Sequence, residues 1–171
     1  SLMAHVCGVS WPKIQQKIET LPQIPFRQEI ILQNKKLVVI NDTGATSPDG
    51  GTAAINRFAS RSTVLITGGT DRKLNYKEWA RAVKRKLKHG NVIFLAGSAT
   101  AKMITSLGWA KGKTQVYNNL AGCVKAALKK ASQYDRSVVL FSPAAKSFEK
   151  FKNEFDRGQQ FNKIVKKELK K

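Results

Sequence analysis

Acidic residues, histidine, cysteine and long apolar runs are all scarce in this chain, and each scarcity removes a class of function. Two cysteines, Cys7 and Cys123, occur among 171 residues. They lie too far apart for a Cys-x-x-Cys or other ligand spacing, so buried reduced thiols are expected. The two histidines, His5 and His89, are equally isolated. No metal site built from protein ligands is expected, and Ser-His-Asp or Cys-His catalysis has no support. No apolar run approaches the ~20 residues of a membrane-spanning helix, and the N-terminus has no basic region followed by a long apolar stretch. A soluble, cytoplasmic protein with no membrane partner is the expectation. Neither Gly-x-x-x-x-Gly-Lys-[Ser/Thr] nor a Gly-x-Gly-x-x-Gly after a strand is present, which excludes both common nucleotide cradles.

With acids scarce, the charge is one-sided: 31 Lys+Arg against 11 Asp+Glu give a formal +20. That balance invites a nucleic-acid reading. Much of it, however, falls on segments that read as solvated helix faces: Lys84, Arg85, Lys86 and Lys88; Lys125, Lys129 and Lys130; Lys163, Lys166, Lys167, Lys170 and Lys171. Interleaved aromatics for base stacking are missing there. A basic proteome or a surface that attracts anionic substrates fits better, and nucleic acid is not the expected partner.

What is present is a regular alternation. The length and a hydrophobic content of 42% suit one domain with a sizeable core and a short attached segment. Ser10 and Pro12 mark the start of a short helix carrying Ile14, Ile18 and Leu21, and Pro22 and Pro25 then stiffen an extended connection. Residues 28–33 and 36–41 read as a hairpin or strand pair. Apolar runs at 37–40, 64–67, 92–96 and 138–141 are too short for helices and rich in Val and Ile. Helical spacing fills the gaps: Trp79, Val83 and Leu87 between Asn75 and His89, and Leu120, Val124 and Leu128 between Asn119 and Tyr134. Shorter helices are expected over 49–58 and 99–107, a further strand over 114–117, and a surface loop around Gly112. The pattern predicts an α/β fold: a Rossmann-like, mostly parallel sheet with helices on both faces, preceded by a short helix and the strand pair.

Ligands of such sheets collect at the carboxyl ends of the strands. Three polar loops fall there: 41–49, 68–73 and 142–148. They offer hydroxyls (Thr43, Thr46, Ser147), cations (Arg72, Lys73) and a carboxylate (Asp42), a set suited to a carboxylate ligand. Each loop alone has a purely structural reading, with Asp42 capping a turn, Ser47 or Asp49 capping a helix, and Gly68-Gly69 making a tight turn. Their convergence on one edge favours binding.

Asn41-Asp42-Thr43-Gly44-Ala45-Thr46-Ser47-Pro48-Asp49 resembles the Asn-Asp-[Ser/Thr]-x-Ala-Thr-x-Pro-[Asp/Glu] stretch of the D-glutamate-adding Mur ligases. Phe141-Ser142-Pro143-Ala144-Ala145-Lys146-Ser147-Phe148, followed by Phe151, Phe155, Arg157, Gly158 and Phe161, is similar to that family's closing signature. The resemblance runs from about Ala4 to near the C-terminus. It implies that residues 27–171 are the family's third, amino-acid-binding domain, and that residues 1–26 are a remnant of the central ATP-binding domain and its linker.

By that resemblance the chain is part of an ATP-dependent ligase that adds D-glutamate to UDP-N-acetylmuramoyl-L-alanine in peptidoglycan precursor synthesis, with ATP and Mg held mainly by the central domain. The P-loop, catalytic histidine and modified lysine lie in segments not represented here, so the chain is expected to carry no catalytic residue and to be inactive alone. Arg27 and Asp42 match nucleotide-binding positions. Thr46, Ser147 and Phe148 match positions around the D-glutamate side-chain carboxylate, and Phe155 an aromatic near substrate. Arg72 or Lys73 takes the place of the cation after the Gly-Gly turn, Gly44 stands where many members carry a lysine, and Arg157 and Asn153 are read as supports of the final turn. The alternatives are the equivalent domain of a folylpolyglutamate synthase or another Mur ligase, against which the residue 151–161 signature argues, or a free-standing basic module for nucleic acid or another anionic polymer.

Overall fold

A computed structural model describes residues 2–109 and 114–170. The loop expected around Gly112 lies outside the described residues. Two short helices open the chain, α1 (Leu2–Val6) and α2 (Trp11–Glu19). Next come β1 (Glu29–Gln33), β2 (Leu37–Asn41), α3 (Pro48–Phe58), β3 (Thr63–Thr67), α4 (Lys77–Lys86), β4 (Val92–Leu95), α5 (Ser98–Leu107), β5 (Gln115–Tyr117), α6 (Leu120–Ala131), β6 (Ser137–Phe141) and α7 (Glu154–Glu168). The strands form one sheet in the order β1-β2-β6-β3-β4-β5. The β1–β2 pair is an antiparallel hairpin and the remaining pairs are parallel.

The apolar runs are buried on both faces, and alternate residues sort to opposite sides as the pleat requires. Ile40, Leu65, Phe94 and Leu140 join the core under α3, α4 and α5. Val39, Val64, Ile66, Ile93, Leu95, Val139 and Phe141 join the core under α6 and α7. Trp79 and Phe161 anchor the two sides with no exposed surface, and truncating such a side chain to alanine costs about 3–5 kcal/mol.

Helix boundaries follow local capping. Ser47 accepts from the Gly50 amide and Asn119 from the Gly122 amide, so α3 begins at Pro48 and α6 at Leu120. Asn75 instead accepts from the Lys77 amide in a turn, which delays α4 by two residues relative to the sequence expectation. The expectation of buried thiols holds for Cys123 but not for Cys7, which is exposed in the turn that follows α1, a helix that itself buries no residue.

Strand order decides where the site lies. The chain runs from β2 to β3 past the slot that β6 later fills, so the loops after β2, β6 and β3 are neighbours at the reversal of strand order. That crevice is the ligand position of open α/β sheets.

Candidate functional site

The β2 loop starts with a buried acid. Asp42 accepts from the Gln28 amide at 3.1 Å and from the Ser142 hydroxyl at 2.8 Å. Burial pushes its carboxyl from 3.8 up to about 6, against the lowering pull of Ser142, the Gln28 amide and the Arg27 charge. Asp42, Arg27, Thr46, Ser47 and Arg57 line a cavity of about 410 Å³. A second cavity of about 400 Å³ shares Arg27, Gln28 and Arg57 and adds Ile24, Ile30 and Phe58.

The strap at residues 23–28 closes over this loop. Phe26 and Gln28 adopt left-handed backbone angles, φ 64° and 51°, and the Gly44 amide donates to the Phe26 carbonyl at 2.8 Å. A Cβ on Gly44 would stand 2.9 Å from that carbonyl and 3.1 Å from Arg27 Cγ. The strap thus gives a physical reason for glycine at a position where many members of the resembled family carry a lysine.

The β3 and β6 loops are laced together. Gly68 and Gly69 have φ 106° and 143°, conformations that side chains resist. Thr70 and Lys146 exchange backbone hydrogen bonds across the two loops, and the Glu149 amide donates to Thr70 Oγ1. The Glu149 carboxylate accepts from the backbone amide and the hydroxyl of Ser98, and so caps α5. Ser147 is 3% exposed, and its hydroxyl is buried without a hydrogen-bond partner. An unpartnered buried hydroxyl costs about 1–3 kcal/mol.

The sequence-derived candidates therefore fall into groups. Arg27, Asp42 and Thr46 share one cavity. Ser147 faces a separate, tight recess with Gly69, Thr70, Lys146 and Arg157. Arg72 and Lys73 are exposed on the β3 loop and line neither, Lys73 being held at φ 58° with its amide on the Asp71 carboxylate. Phe148 is 58% exposed with the Lys146 ammonium over its ring, and Phe155 packs edge-on against Phe26 at 6.1 Å. Both aromatics lie outside the two recesses. A larger groove of about 480 Å³ opens at the opposite edge of the sheet, lined by Leu37, Leu128, Tyr134 and Leu169 among others. Its hydroxyls at Ser132, Tyr134 and Ser137 already donate to the Lys129 carbonyl, the Asn91 side chain and the Lys36 carbonyl.

Several residues gained weight only from the structure. Ser142 holds Asp42, Arg57 donates to the Gln28 side chain at 2.8 Å, and Glu149 bridges the β6 loop to α5. Arg157 was legible as a support, but its reach was not. Its guanidinium bonds Thr43, Ala145 and Lys146, and burial lowers its pKa to about 10, with Glu154 opposing. Asn153 caps α7 through the Asp156 amide, as its supporting role implied. Among the described residues no cluster of three or more His, Cys, Asp or Glu is placed to hold a metal, and no helix is long and apolar enough to cross a membrane.

No protein-family model matches the chain. Individual relatives do. UDP-N-acetylmuramoylalanine–D-glutamate ligase of Prochlorococcus marinus is 32% identical over 164 residues, covering 95% of this chain and 34% of the relative. The enzyme of the same name from Borreliella afzelii is 32% identical over 165 residues, covering 95% and 36%. The chain thus spans about a third of the length of the curated relatives it matches. Among solved structures, MurF from Acinetobacter baumannii aligns with a TM-score of 0.58 at 13% identity, over 96% of this chain and 35% of that one. MurF ligase from Thermotoga maritima in complex with ADP aligns at 0.56 and 16%, over 92% and 36%. At such identities these two speak for the fold.

Proposed function

We propose, for a chain that belongs to the Mur ligase family, that it is the domain presenting D-glutamate to an ATP-activated carboxylate of UDP-N-acetylmuramoyl-L-alanine, and that it is inactive alone. The observation that carries this reading is the Ser147 hydroxyl, buried and unpartnered in a loop whose carbonyls from Pro143 to Ser147 all accept hydrogen bonds. A ligand carboxylate that reaches this donor offers it the acceptor that the fold itself withholds. Thr46, which lines the Asp42 cavity rather than the Ser147 recess, supplies a second hydroxyl as the domain closes, and Phe148 and Phe155 are the aromatics that close on the bound amino acid. Arg72 or Lys73 supplies the cation. Both are exposed, so the ion pair forms as the domain closes against the rest of the ligase.

Arg27 and Asp42 form the nucleotide side. A buried carboxylate beside a cation in a cavity of about 410 Å³ suits ribose hydroxyls and a phosphate. ATP with Mg, held mainly by the central domain, supplies the phosphoryl group that activates the precursor carboxylate. The D-glutamate amine must stand unprotonated to attack, so the donors of this chain engage the carboxylates and leave the amine free.

Residues 1–26 are assigned to the central domain and its linker. Leu2, Met3, Val6, Trp11, Ile18, Leu21 and Ile24 all stand more than half exposed there, while Ile14 is the buried residue of α2. An apolar patch of this density calls for a covering surface.

In the intact ligase carrying this chain, replacing both Arg72 and Lys73 with alanine is expected to raise the KM for D-glutamate by about tenfold or more while leaving that for ATP near its original value. An unchanged D-glutamate KM would sink the assignment.

A further inference from the structure

Arg157 has no exposed surface, yet it donates to four neutral oxygens rather than to a carboxylate. Nε and Nη2 reach the Thr43 hydroxyl and carbonyl at 2.9 Å each. Nη1 reaches the Ala145 and Lys146 carbonyls at 3.1 Å each. Burying a cation among neutral acceptors is costly, and an apolar side chain of similar volume fills space at less expense. Packing alone therefore does not account for an arginine here. The planar fork does: one edge takes the β2 loop, and the remaining nitrogen takes the β6 loop.

Both contacts fall one residue from a candidate ligand-binding side chain. Thr43 follows Asp42, and Lys146 precedes Ser147. The β6 loop is held at each carbonyl from Pro143 to Ser147. Pro143 accepts from Thr67 Oγ1 and the Gly68 amide, Ala144 from the Tyr76 hydroxyl, Ala145 and Lys146 from Arg157, and Ser147 from the Lys150 and Phe151 amides. Of these ties, the two from Arg157 are the ones that continue to the β2 loop. The first turn of α7 completes the clasp, since Thr43 Oγ1 donates to the Glu154 carbonyl and Asn41 donates to the Gly158 carbonyl.

We propose that Arg157 is a positioning residue of the ligase reaction: it fixes the spacing between the nucleotide-side loop after β2 and the amino-acid-side loop after β6 without touching either substrate. This rests on the function proposed above. The conservative variant Arg157→Lys keeps the charge and loses the fork, so it loosens both loops together. Tyr76→Phe releases the Ala144 carbonyl and loosens the β6 loop alone.

In the intact ligase carrying this chain, Arg157→Lys is expected to raise the KM for D-glutamate and the KM for ATP together, each by about tenfold, because sub-ångström misplacement of binding groups is felt at that scale. Tyr76→Phe is expected to raise the D-glutamate KM only. Thr43→Val, which removes the Nε acceptor with little change of shape, repeats the double rise at about threefold and serves if Arg157→Lys does not fold. The proposal is overturned if Arg157→Lys moves one KM alone, or lowers thermal stability with both KM values unchanged. If the unmodified ligase shows no D-glutamate-dependent ADP release, the proposed function fails instead. The clasp is then judged on the chain by amide exchange. Faster exchange at both Ala45 and Lys146 in Arg157→Lys supports it, and acceleration at only one of them, or at neither, overturns it.

Discussion

Ser147 and Asp42 are both buried polar groups, and they carry opposite consequences for stability. The Ser147 hydroxyl has no partner, so Ser147→Ala removes a desolvation penalty. Urea unfolding is expected to show equal or greater stability, by up to about 1 kcal/mol, while D-glutamate affinity falls by about tenfold or more. A destabilised variant with unchanged affinity would contradict that role. Asp42 is an acid whose folded pKa is raised, from 3.8 to about 6. Between those values the folded state holds the extra proton, so this group's contribution to stability falls as pH rises through that window. Under the proposed nucleotide role the binding dependence runs the other way, because the carboxylate is the form that accepts from ribose. Affinity for ATP in the intact ligase is expected to drop as pH falls through about 6, and Asp42→Asn is expected to flatten that dependence. Persistence of the same pH profile in Asp42→Asn would assign it to another group.

Among the elements, the strands were the most legible in the sequence, because two-sided burial leaves continuous Val- and Ile-rich runs whatever the neighbours are. The Gly-Gly turn after β3 was legible too, although its reason was not. A Cβ on Gly69 would sit 2.4 Å from the Lys146 carbonyl, so the glycine is demanded by a loop far away in sequence. Gly69→Ala is expected to cost about 1–3 kcal/mol in urea unfolding. Gly90→Ala, with nothing within 4 Å of the added carbon, is expected to stay within about 0.5 kcal/mol. Equal effects at the two sites would remove the β3–β6 lacing as the cause. Long-range ties were the illegible part. Nothing periodic marks that Arg157 reaches Thr43, or that Glu149 caps α5 across 51 residues. The same limit applies to Arg72 and Lys73, whose charges were visible but whose exposed placement, with a left-handed turn at Lys73, was not. Cys7 failed differently, since burial was inferred from residue type at a turn following a helix that buries nothing.

At the scale of the molecule, chemistry and bulk charge are separated. The lysines of α4, α6 and α7 largely project from the outer helix faces, while the convergent donors stand where the β2, β6 and β3 loops meet. The larger groove lies at the far edge. Size alone therefore points away from the site, and donor geometry points to it. The most direct measurement is a titration of the isotopically labelled chain with D-glutamate, followed by amide shifts. The expected result is weak, saturable perturbation centred on Ser147, Phe148 and Thr46, with L-glutamate much less effective. Shifts confined to the groove around Leu37 and Leu169, or identical responses to both enantiomers, would contradict the proposed function.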